Sequence, residues 1–281
     1  MKKTSEIIIG LLAFTLLLVA ISPVFNIHSE QSVVYLGQRA SLRTPCIEEV
    51  EAFDSTLSDL LYKDNYTISI KVNDSLKEAV VDYPSQLMVA KMKGTKLCLG
   101  MIPALKEKQG QKGTIYLEER KSVTDTTKYD GPVQLKVNIE MPSAMVHRML
   151  RKPSSFRLSP CRLRLVGLQT DNFVFRTNVG FVLDSCTIRS ADIDVSPEDL
   201  SLSETTIGTL VLNVRGDGEQ SFSSDILEWE SVKVGHLILR GWSASTVRLD
   251  QHCYDHVTVE PDLGRTLDVE LNEIKDKMTL K

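Results

Sequence analysis

Asp192 and Asp194 are the acidic pair whose spacing could do chemistry. At i and i+2 both carboxylates stand on one face of a β-strand. An opposed pair across a sugar would cleave a glycosidic bond, one acid protonating the leaving oxygen and the other activating water or attacking directly. Adjacent carboxylates would instead suit a calcium ion. Either use calls for further acids at the matching place in neighbouring strands, where the chain has Leu210-Val-Leu212 and Leu237-Ile-Leu239. The pair is therefore expected to be solvated surface.

His236, His252 and His256 form the next set. His252 and His256 are four apart, but Val257-Thr-Val259 reads as strand, where that spacing does not pair as on a helix. No Glu follows His252, so the HExxH pattern of zinc proteases is absent. No Gly-x-Ser-x-Gly nucleophile turn and no CxxC zinc knuckle occur either. Arg215-Gly-Asp217 matches a tripeptide of cell-adhesion ligands, yet Gly216-Asp-Gly218 reads equally as a turn. We assign no catalytic, cofactor-binding or metal-binding residue and expect no enzyme. The alternative is a small carbohydrate-active β-helix enzyme using Asp192 and Asp194.

His147, Arg148, Arg151, Lys152, Arg157, Arg162 and Arg164 concentrate positive charge. Such a patch could meet an anionic polysaccharide or a lipid headgroup; the plainer reading is a solvated face spread over two or three coils. Only Phe156 lies nearby, so the aromatic interleaving that stacks on bases is missing. A net charge of −4 and a pI near 5.8 give no electrostatic reason to expect nucleic acid. The five cysteines, Cys46, Cys98, Cys161, Cys186 and Cys253, are scattered and odd in number, which suits free thiols serving partly as small core residues.

The elements that must position these groups announce themselves between Leu183 and Leu239. Apolar residues fall at relative positions 1, 6, 9 and 11 in three segments: Leu183, Ile188, Ala191 and Ile193; Leu202, Ile207, Leu210 and Leu212; Trp229, Val234, Leu237 and Leu239. Units that cannot each bury an apolar face must stack, so the repeat predicts coils of a β-solenoid. Cys186 shares the parity of Ile188 and is expected to point inward. Upstream, Tyr66–Val72, Ala79–Val81, Leu87–Ala90, Leu97–Leu99 and Val133–Met141 read as short strands, with turns at Asn73-Asp74 and Lys93-Gly94-Thr95. Residues 46–61 carry a helical apolar pattern, against a competing strand at Val50–Phe53. The charged tail Lys275–Lys281 is expected to keep the last coil from adding another chain.

Behind Lys2 and Lys3, residues Ile7 to Ile21 carry no charge, and the largely apolar stretch runs to Phe25. As a helix it would span roughly 28 Å, close to a bilayer core. A retained anchor and a cleaved signal peptide both place the rest outside the cytoplasm, because the lysines favour a cytoplasmic N-terminus. The domain plan is an anchor over 1–27, a juxtamembrane connector over 28–45, a β-solenoid domain over 46–271 and the tail over 272–281.

The short rungs such as Asp184-Ser-Cys-Thr-Ile-Arg-Ser-Ala-Asp-Ile193, with the strands Tyr66–Val72, Lys93–Leu99 and Val137–Pro142, make residues 46–260 resemble the "putative adhesin" family of bacterial envelope proteins with a "head GIN" domain. The chain lacks that family's frequent Gly-Ala-Ser steps. The resemblance implies a right-handed parallel β-solenoid on the cell envelope without catalytic residues. The expectation is thus a mainly β protein, one such solenoid preceded by one N-terminal transmembrane helix. It would sit in the inner membrane through residues 7–25, face the periplasm and bind a glycan or an envelope protein. A secreted form and an accessory subunit of an envelope complex are the alternatives.

Overall fold

Leu135, Val137, Ile139 and Met141 are buried while Lys136 and Asn138 are exposed, so this segment is a strand with one face in the core. The same alternation builds most of the molecule. The computed structural model describes residues 31–53, 66–103, 105, 115–119, 135–152, 155–159, 161–176, 179–195, 200–214, 221–223, 231–241, 245–249, 253–261, 267–271 and 278–280. In chain order the strands are β1 Gln31–Tyr35, β2 Arg39–Thr44, β3 Glu49–Phe53, β4 Tyr66–Val72, β5 Ala79–Pro84, β6 Met88–Lys93, β7 Lys96–Met101, β8 Ile115–Glu119 and β9 Leu135–Met141. Helix α1, Ser143–Leu150, leads to β10 Phe156–Ser159, β11 Arg162–Val166, β12 Gln169–Arg176, β13 Gly180–Asp184, β14 Thr187–Val195, β15 Leu200–Ser203 and β16 Thr206–Val214. There follow β17 Ser221–Ser223, β18 Lys233–Gly241, β19 Ser245–Leu249, β20 Tyr254–Pro261, β21 Leu267–Leu271 and β22 Met278–Leu280.

The repeat spacing is the register of a parallel ladder. In the sheet β12-β14-β16-β18-β20-β22, Ile188 pairs with Ile207 and Ile207 with Val234. Ala191, Leu210 and Leu237 form the next buried column, and Ile193, Leu212 and Leu239 the third. Leu183 and Leu202 pair in the neighbouring sheet. Between the two sheets the chain turns a corner in every repeat. Gly167, Ser185 and Glu204 take positive φ there, at 73°, 54° and 46°, and Ser231 does so just before β18, at 57°. The next residues, Leu168, Cys186, Thr205 and Val232, all turn into the core. The inward expectation for Cys186 holds at 1% exposure.

Ile188 and Ala191 both point inward although they are three apart, so the strand bends between them. At that bend a Cβ on Gly208 would stand 2.6 Å from the carbonyl oxygen of Arg189, and one on Gly235 would stand 2.7 Å from that of Gly208. The coils approach so closely here that only glycine fits.

The single right-handed solenoid is not what the chain forms. The seven-stranded sheet runs β15-β13-β11-β4-β9-β5-β2 and mixes both senses: β4 pairs parallel with β9 and β11, whereas β5 is antiparallel to β9 and β2. A second mixed sheet, β10-β3-β7-β6, ends in the antiparallel pair β6–β7, where Lys93 faces Lys96 across a two-residue turn with Gly94 at φ 64°. Two-residue turns join only antiparallel strands. The order of the layers also reverses. The pair β3–β4 is flanked on one side by β7 and β9 and on the other by β10 and β11, so α1 carries the chain back past its own start. The molecule is mainly β in several mixed or parallel sheets, none of them closed.

The expected transmembrane helix is corrected with it: among the described residues no helix is long and apolar enough to cross a membrane, and residues 7–25 lie outside them. Over 49–53 the strand reading prevails over the helix, and β2 pairs with β5. At the far end β22 pairs parallel with β20, so residues 278–280 extend the sheet rather than blunting it.

Candidate functional site

Helix α1 packs Met145, Val146 and Met149 into the core, the i, i+1, i+4 pattern of one buried stripe. Its first N–H, on Ser143, donates to Asp74 Oδ1 at 2.7 Å from the turn after β4. That bond holds the Asp74 carboxyl below its ordinary value. Ile47 N–H donates to Met145 Sδ at 3.4 Å, fixing the other flank. His147 and Arg148 fall in the last turn, where the helix dipole favours cations. Beyond it Lys152 pairs with Glu48 at 2.5 Å, which lowers the Glu48 carboxyl and raises the Lys152 ammonium.

The C-terminal half of α1 lies beside β12, the terminal strand of its sheet. A groove runs between them. Its polar part, about 530 Å³, is lined by His147, Leu150, Arg151 and the consecutive residues Gln169 to Val174. Its apolar part, about 300 Å³, is lined by Leu150, Arg151, Lys152, Phe156, Val174, Phe175 and Arg176. Phe156 meets Phe175 edge-on at 5.6 Å, and Phe175 stacks on Phe181 at 4.2 Å and on Phe173 at 5.7 Å. This aromatic block makes the floor rigid. Val174 points outward and is 58% exposed, the one large apolar side chain so exposed among the described residues. Arg151 and Arg176 have no ion-pair partner among the described residues.

The basic cluster seen in the sequence divides over three elements. His147, Arg151 and Lys152 edge the groove. Arg148 donates to Cys46 Sγ at 3.8 Å, and Arg157 is exposed on β10. Arg164 binds Asp184 through both Nε and Nη2, while Arg162 lies over Gly180. Sequence reasoning missed Leu150, Phe156, Val174, Phe175 and Arg176 as a set. The available signal was Val174, an apolar residue at outward parity between the inward Phe173 and Phe175.

Asp192 and Asp194 share one strand face, as their spacing requires. Their neighbours are not acids. Asp192 pairs in register with Val174 and Val211 and accepts from Asn213 Nδ2 at 2.8 Å. Asp194 is only 5% exposed, between Arg176 and Asn213 in register. No carboxylate faces the pair across a cleft among the described residues, and no group of three His, Cys, Asp or Glu there could hold a metal ion.

The structure does join two of the histidines. His236 and His256 are register partners in adjacent strands with ring centroids 4.9 Å apart, and His236 Nε2 lies 2.7 Å from Thr258 Oγ1. Their link is the coil length of 20 residues, not the i, i+4 step. His252 and Asp217 lie outside the described residues. All five cysteines are free, with Cys161 and Cys186 buried and the Cys161 thiol pushed up to about 12 by burial.

No family model matches the chain, the head GIN domain included, and no curated protein matches it. It is similar to solved structures at a coarse level. A putative adhesin from Bacteroides fragilis NCTC 9343 is 8% identical over 88% of this chain and 97% of that chain, with a TM-score of 0.38. A putative adhesin from Parabacteroides distasonis ATCC 8503 is 9% identical over 85% and 98%, with a TM-score of 0.35. A putative lipid binding protein from the same organism is 10% identical over 89% and 100%, at 0.30. Likeness at this level assigns neither residues nor a ligand to the chain.

Proposed function

We propose that the protein is a binding protein of the cell envelope, adhesin-like in use, whose ligand site is the groove between α1 and β12. The observation that carries this reading is the groove's make-up: an aromatic floor, an exposed valine and two arginines, Arg151 and Arg176, without an ion-pair partner among the described residues, on one concave surface. Concave apolar surfaces with a few convergent polar groups are where ligands bind. An apolar side chain left in water beside such a surface gains free energy once it is covered. Location outside the cytoplasm is supported by the uncharged segment 7–25 behind Lys2 and Lys3, through which the chain associates with the membrane. No catalytic role is proposed for Asp192 and Asp194, since Asn213 and Arg176, not further acids, are their neighbours.

The test is a glycan and peptide array probed with the full chain in nanodiscs. Ligands retained by the native protein are expected to be lost on Val174→Glu. Binding that survives both Val174→Glu and Leu150→Glu, in variants that keep the native circular dichroism and melting temperature, would place the site elsewhere.

A further inference from the structure

We infer that the groove takes an extended acidic peptide, which adds as a strand to the edge of β12 that no described strand occupies and sets its carboxylates on the cationic rim. The inference rests on the binding reading above and gives the class of ligand. β12 pairs along Gln169–Arg176 with β14 on one side, and no described strand pairs with its other edge. The groove lies along that edge. A ligand resting on the face of a strand would touch alternate residues, whereas consecutive residues from Gln169 to Val174 line this opening. An unpaired row of N–H and C=O groups is a template for another strand, and main-chain bonds to it would supply affinity without regard to sequence.

The side chains around the edge choose the peptide. His147, Arg151, Lys152 and Arg176 stand against the single acid Asp171 among the lining residues. Lys152 is already shared with Glu48, so Arg151 and Arg176 are the cations left for the ligand. Both are exposed, and their attraction would act mainly on carboxylates held beside them and weaken with salt. Leu150 and Phe156 line the same opening and would receive the apolar side chains that the strand turns to its other face. A peptide of alternating acidic and β-branched residues, about six to eight long, matches the length of β12.

The experiment is fluorescence anisotropy with the full chain in phosphatidylcholine nanodiscs and a labelled octapeptide, Thr-Glu-Val-Glu-Val-Glu-Val-Thr. The acidic peptide is expected to bind and to lose at least tenfold in affinity when alternate amides are N-methylated or when Lys replaces Glu. Arg151→Glu with Arg176→Glu is expected to cost at least tenfold as well, and Asp192→Asn nothing. Equal binding of the N-methylated peptide would overturn strand addition while leaving the groove as a binding site. The same holds if dodecyl phosphate binds in a Val174-sensitive way and the peptide does not, which would make the ligand a lipid-like anion. Should neither probe bind and the array show no Val174-sensitive ligand, both readings fall together.

Discussion

Asp184 is a carboxylate only 8% exposed, and its charge is tolerated because Arg164 grips Oδ2 while Ser185 Oγ donates to Oδ1 at 3.0 Å. Removing one partner of such a pair leaves a buried charge unmatched, whereas removing both does not. Arg164→Met is expected to cost about 1–3 kcal/mol in urea unfolding, towards the lower end because Arg164 is half exposed. Adding Asp184→Leu should return much of that loss; strict additivity of the two changes would refute the coupling. Gly208→Ala is expected to destabilise by about 1–3 kcal/mol, since the methyl group would meet the backbone of Arg189 rather than a movable side chain. The Cys161 thiol, raised by burial from 9.0 to about 12, should titrate only in the unfolded chain between those values. Folding stability is therefore expected to fall as pH rises above about 9, and Cys161→Ala to flatten that limb. Cys46, Cys98 and Cys253 are part-exposed and should react with a thiol reagent well before Cys161.

At the scale of elements, the parallel ladder makes each inward column a test of register. Leu210 lies between Ala191 and Leu237 and is fully buried, so Leu210→Ala is expected to cost about 2–5 kcal/mol. Thr206 precedes it on the exposed face, and Thr206→Ala should stay within about 0.5 kcal/mol. Thermal or urea unfolding that ranked them the other way would mean that the register is wrong. Helix α1 does two things at once. Its buried stripe closes the core where the layers reverse, and its last turn forms one wall of the groove. A change in its buried methionines is therefore expected to alter both ligand binding and stability, whereas a change at Arg151 should alter binding alone.

For the whole molecule, the decisive feature is that β4 lies between β9 and β11 rather than at the end of a stack. Such a sheet cannot grow coil by coil from its N-terminus, because β4, made early, gains β9 on one edge before α1 and β11 on the other only after it. A chain truncated before β9 is expected to stay unfolded, as judged by loss of a cooperative melt, whereas a stack of independent coils would lose stability in steps. Residues 7–25 bear on location alone. The full chain is expected in the membrane fraction, and a form lacking residues 1–27 in the supernatant; equal partitioning of the two would remove the membrane proposal.

The chain by itself determined what is local and periodic. The spacing 1, 6, 9, 11 is an in-register ladder because a strand that bends once must place its inward residues at those intervals, and stacked copies share the bend. It also determined the turns at Asn73 and Gly94, and the inward setting of Cys186. The sense of pairing was legible in part: the two-residue connection at Gly94-Thr95 is too short for parallel strands, a signal that the apparent uniformity of short strands obscured. Tertiary structure alone decided the rest. No local pattern says that β11 pairs with β4, where Arg162 stands opposite Thr67 95 residues earlier, instead of with β9, since both strands present the same alternating face. The groove follows from that choice. Leu150, Phe156 and Val174 belong to a helix and two strands brought together only by the return of the chain, so their joint surface exists in the fold and not in any stretch of the sequence.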